Sequence, residues 1–238
     1  MRLLSNRSSW LPGGLVLLFL LTGCAANNSS TGTIQDEGFE LTDLAKTDID
    51  LVVASHRREV MGLLARMMDS LYAHNPEALK KSGYSLAQGS LKRVFGKHHN
   101  WRFPDLGDKQ GTDAILLSMD NRFQGDRVLA FTVGLGSMLA ASYNMKHEFY
   151  VLDDLDPQKL YNSARNVEIA MQKLSRAKND RGRLFLVTNQ LKGPFPDLSV
   201  ERLTGGIVAS QDTIARIIAQ KTKRNIKQAI QFLMFLPI

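Results

Sequence analysis

Between residues 46 and 238 apolar side chains return at steps of three and four, and this rhythm limits what the chain can fold into. Val53, Val60, Leu64, Met67 and Leu71 fall on one face of a helix, which Met61 and Met68 widen. Leu160, Ala164, Val167, Met171 and Leu174 repeat the pattern and form a seam that requires a partner helix. A third stripe takes in Ile214, Ile217, Ile218, Ile226, Ala229, Ile230 and Leu233. No strand–helix–strand succession and no repeat of fixed period accompanies these stripes. The sequence therefore predicts an all-α fold, an irregular helical bundle of about six to eight helices.

Capping residues place the ends. Thr47 or Asp48 opens a first helix that runs to about His74, and Asn75-Pro76-Glu77 opens a short one closed by Gly83. Another short helix is expected from Ser85 to Phe95, before a loop from Gly96 to Gly111. Thr112 is expected to cap a helix ending near Gly125, and Asp126 to Asn144 form the next. Asp156-Pro157 starts a helix that ends between Asn179 and Gly182. The last helical region begins at Ser199, with Gly205-Gly206 as a candidate break. For Arg183 to Thr188, a short apolar run, periodicity does not choose between strand and helix.

The N-terminal composition is different. Arg2 and Arg7 precede an apolar core, Leu15 to Leu21, and the small residues Thr22 and Gly23 lead to Cys24, the single cysteine of the 238 residues. The core falls short of the ~20 residues a membrane-spanning helix needs. Residues 1–23 thus read as a signal peptide, 24–45 as the N-terminus and a flexible tether rich in Asn, Ser, Thr and Gly, and 46–238 as a single helical domain.

Leu21-Thr22-Gly23-Cys24 resembles the lipobox of bacterial lipoproteins. The resemblance covers the signal alone, and no family resemblance extends over 46–238. It implies cleavage after Gly23 and a covalent diacylglycerol and acyl lipid on Cys24, whose thiolate is the nucleophile. No other cofactor is expected. Two or three chains, at about 0.8 kcal/mol per buried methylene, would hold the protein to a bilayer. Ala25 stands where an aspartate would imply retention at the inner membrane. The resemblance therefore implies a lipid anchor in the outer membrane, facing the periplasm, or on the outer face of the cytoplasmic membrane in a single-membrane cell.

The formal charge is +7, and +5 once Arg2 and Arg7 are removed. Outside the cytoplasm such a surface meets anionic lipid heads or cell-wall polymer rather than nucleic acid.

The best candidate location for catalytic chemistry is the loop around His98 and His99, with Asp105, Asp108 and Asp113 following; Ser137 matches no nucleophile motif. Imidazoles and carboxylates together can bind a divalent metal or exchange protons, although their spacing matches no ligand motif, so no metal is assigned. Asn162, Arg165, Asn166 and Glu168 are a candidate polar network on one helix, with Arg165 and Glu168 spaced to pair. Residues 128–144 carry no charge, and Ala130, Gly134, Gly136 and Ala140 permit close helix contact, either in a central buried helix or in a membrane.

These features predict a membrane-anchored periplasmic lipoprotein that acts as a non-catalytic accessory or scaffold, bound to an envelope protein or cell-wall polymer. One alternative is an envelope hydrolase or metal-dependent enzyme built on the His98–Asp113 loop. Another is a component of a secretion or transport complex with 128–144 in the membrane.

Overall fold

A computed structural model describes residues 47–96, 99–150, 153–190 and 196–234. The expected signal peptide, the tether, Cys24 and His98 lie outside these residues. The described residues form seven α-helices: α1 (Asp48–His74), α2 (Pro76–Lys81), α3 (Ala87–Phe95), α4 (Gly111–Ser118), α5 (Arg127–Ser142), α6 (Pro157–Arg176) and α7 (Ser199–Met234). Among them there is no strand, only the isolated bridges Lys178–Leu184 and Gln190–Asp197. The fold is all-α.

Local chemistry explains most boundaries. Thr47 and Asp50 form a reciprocal capping box at the start of α1. Asp126 caps α5 through one carboxylate oxygen, which accepts from the Val128 and Leu129 N–H groups at 3.0 and 3.1 Å. Its other oxygen accepts from the Tyr72 hydroxyl at 2.5 Å, which ties α5 to α1. Asp156 caps α6, with Pro157 at the first helical position.

Four expectations need correction. The helix opened near Thr112 begins at Gly111 and stops at Ser118, well short of Gly125. Arg127 is the cause: its guanidinium donates to the Ser118, Asp120 and Phe123 carbonyls at 2.6–2.9 Å, so the chain turns around it. The helix from Pro157 ends at Arg176, before Asn179, because the next residues fold back in a turn in which the Asn179 N–H donates to the Arg183 carbonyl. Asn75 makes no side-chain cap for α2; its amide instead pairs with both backbone groups of Val187, at 2.7 and 2.9 Å. That pairing pins the Arg183–Thr188 run as irregular chain. Finally, α7 is unbroken at Gly205-Gly206.

Helix α7 runs antiparallel to α1. Asp50 lies 3.8 Å from Lys221, His56 Nδ1 meets Ser210 Oγ at 3.0 Å, and His74 Nε2 meets Asp197 Oδ2 at 2.9 Å. A side chain at Gly206 would press on Leu63, so that glycine lets the two helices approach. Of the third apolar stripe, Ile214 and Ile218 are buried and Ile226 is 55% exposed. Ala229, Ile230 and Leu233 have no described side chains.

Helix α5 is the centre. Nearly every residue from Val128 to Ser142 is buried, and no helix among the described residues is long and apolar enough to cross a membrane. Two apolar clusters result. The larger joins Val60 to Tyr72 of α1 with α4, α5, Val167 to Leu174 of α6, and the start of α7. The smaller joins Val53, Tyr143, Phe149, Leu155, Leu160, Ile214, Ala215 and Ile218. A polar layer lies between them along the helices. Gln211, fully buried on α7, donates to Ser163 Oγ at 2.7 Å and Ser142 Oγ at 3.1 Å, and accepts from the Tyr143 hydroxyl at 2.6 Å. Arg57 occupies the matching position on α1, between Val53 and Val60.

Candidate functional site

The loop after α3 is built around Trp101. Its backbone is left-handed, with φ of 61°, at a cost of order 1–3 kcal/mol for so bulky a residue. What holds it is local. The Trp101 N–H donates to His99 Nδ1 at 2.9 Å, and Gln110 donates to the Asn100 carbonyl. The indole lies against Gly136 of α5, where any Cβ would overlap the ring. Phe95 and His99 meet it edge-on, with centroids at 6.1 and 5.0 Å.

This arrangement decides what His99 can do. Because Nδ1 accepts from Trp101, the ring proton sits on Nε2 and donates to the Val94 carbonyl at 2.6 Å. Both nitrogens are occupied. The carboxylates also stand apart: Asp105 pairs with Arg93 at 2.6 Å, while Asp108 and Asp113 are exposed. Among the described residues no three His, Cys, Asp or Glu side chains are grouped as a metal site would need. The polar residues of α6 are likewise only partly joined. Arg165 pairs with Glu168 at 3.0 Å and with Asp212 of α7 at 2.6 Å, and lies over the Tyr161 ring. Asn162 accepts from Gln158, and Asn166 is exposed.

Two other places bring chemistry together. One is a cleft of about 250 Å³ between α1, the end of α3 and the following loop, lined by Arg57, Met61, Val94, Phe95, Gly96, His99, Trp101 and His147. Arg57 is 8% exposed and donates through Nη2 to His147 Nδ1 at 2.9 Å, while its Nε is buried with no partner among the described residues. Burial lowers the Arg57 pKa, and the nearby Tyr143 partly offsets this.

The second is a basic cleft of about 440 Å³ formed by the end of α2, the turn before α5, and the chain after α6. Four cations line it, Lys81, Arg127, Arg181 and Arg183, against one carboxylate. That carboxylate, Asp180, is engaged by Asn121 at 2.6 Å. Arg127 spends three donors on backbone carbonyls and stacks on Phe123 and Phe185, so Lys81, Arg181 and Arg183 supply the outward charge. A wing of about 260 Å³ continues past Lys81 and Phe185 to His74 and Pro76. There the His74 imidazole donates to Asp197, a bond that holds the Asp197 carboxyl down at about 2, helped by the Ser199 backbone N–H.

Neither cleft follows from motif spacing. Its basic residues are spread over more than 100 positions (Lys81 to Arg183) and meet only in the fold. Arg57 did leave a sign, since it stands four residues after Val53 and three before Val60, inside the apolar stripe. Comparison of the chain with protein-family models, curated proteins and solved structures finds no match in any of the three.

Proposed function

We propose that the protein is an outer-membrane lipoprotein, anchored through an acylated Cys24, whose helical domain serves in the periplasm as a non-catalytic accessory holding an anionic envelope polymer. The anchor rests on Leu21-Thr22-Gly23-Cys24, and the binding role on one observation, the basic cleft between α2 and the chain after α6. Three outward cations around a trough supply the field that gathers phosphates or carboxylates of a polymer. Such contacts are individually weak at a wet surface and gain strength along a repeating chain.

A photo-crosslinking residue at position 181 of the full chain tests both halves in cells. Expected is attachment to a cell-wall polymer, lost when Lys81, Arg181 and Arg183 are changed together to Glu, with the protein in the membrane fraction only while Cys24 is present. An unchanged crosslink after charge reversal overturns the cleft, as does attachment to a protein instead. Membrane retention of Cys24→Ser overturns the anchor.

A further inference from the structure

We propose that the cleft between α1 and the Trp101 loop is a binding site for a small organic monoanion, a carboxylate on an apolar or aromatic body, with Arg57 as its counter-charge. This site is separate from the basic cleft, and its failure would leave that reading untouched.

Arg57 is the reason. A buried lysine sheds its charge by losing a proton, but a guanidinium does not, so burying it demands an anion. Among the described residues no carboxylate pairs with it. Its neighbour is His147, whose Nδ1 must accept, since arginine only donates. His99 is neutral for the reason given above, and the other lining residues carry no charge. Among the described residues the cleft therefore offers one positive charge, which fits a carboxylate and leaves the second charge of a phosphate monoester without a partner among them.

The remaining walls describe the rest of the ligand. Trp101, Phe95, Met61 and Val94 present two rings and two aliphatic chains. The volume of about 250 Å³ lies below the ~300–1,000 Å³ of typical drug-sized sites, which limits the body to about one ring or a short chain. The left-handed backbone at Trp101 and the glycine beneath its ring both serve to set the indole in this wall.

Trp101 also reports on the site. The sequence holds two tryptophans, and Trp10 lies in the expected signal peptide; Trp10→Phe leaves Trp101 alone whether or not that peptide is removed, in protein kept in detergent. The probes are acetate, benzoate, 3-phenylpropionate, the neutral 3-phenylpropanamide and phenyl phosphate, titrated to millimolar concentration. Expected is a saturable change in Trp101 emission with benzoate or 3-phenylpropionate, and a response at least roughly tenfold weaker with the amide, after Arg57→Met, or with phenyl phosphate. Without any probe, Arg57→Met is expected to melt no lower than the parent, because it removes an uncompensated charge and keeps the packing. No saturable response to any carboxylate overturns the proposal. So does an amide or phenyl phosphate that matches the carboxylate, or an Arg57→Met variant that melts several degrees lower, which would mark Arg57 as a structural cation.

Discussion

Single side chains carry the joints of this molecule. His74 ends α1 and Asp197 precedes α7, and their bond closes the far end of the antiparallel pair. Asp197 has a folded pKa of about 2, below the ~3.9 of an unfolded chain. With a depressed folded value, its contribution is complete above pH ~4 and is lost as pH falls through ~2. Melting temperature should therefore drop over that interval, and Asp197→Asn should lower stability at neutral pH while flattening the acid limb. Equal acid sensitivity in the variant would show that other carboxylates govern it. Thr47, Asp126 and Asp156 are residues of this kind that can be read in advance, because a cap acts on its own next turn. Arg127 cannot. It halts α4 nine positions upstream (Arg127 to Ser118), and nothing local announces that its donors will turn backward.

At the level of elements, two glycines with opposite duties test the packing of α5 and α7. Gly136 makes room for the Trp101 ring, so Gly136→Ala should cost about 1–3 kcal/mol, as overpacked cores do. Gly205 has nothing within 4 Å of where a Cβ would stand, so Gly205→Ala should gain about 0.5–1 kcal/mol in helix propensity. Urea unfolding of both variants, with unchanged slopes, measures the two signs. The same pair explains how far the sequence could be read. The stripes on α1 and α6 were plain because each faces a neighbour along most of its length. The unbroken run through Gly205 was not, since propensity argues for a break and is overruled by Leu203 and Ile207 packing in the core. Ile226 shows what periodicity leaves open: it marks a face but not whether another helix reaches it, and this residue is exposed. The basic cleft was invisible for a third reason, since tertiary structure alone assembles it.

Across the whole molecule, the polar layer of Arg57, Ser142, Tyr143, Ser163 and Gln211 divides one bundle into two apolar clusters. Gln211 is satisfied on both its oxygen and its nitrogen, so Gln211→Leu should strand the Tyr143 hydroxyl and cost about 1–3 kcal/mol. Adding Tyr143→Phe should recover most of that loss, and the double-mutant cycle in chemical denaturation gives the coupling. Additive losses would mean that the two side chains are not energetically joined. The layer also has a mechanical meaning. A pull from the N-terminal side of the chain enters at Thr47 and loads α1 in shear against the antiparallel α7. The smaller cluster around Val53 and Ile218 takes that load first, held by the capping box and by Asp50 near Lys221. Behind it the polar layer interrupts the apolar seam, so a rupture has a place to stop. Under tension the domain should lengthen by one short step and hold, its larger cluster and both clefts still folded, before the rest gives way.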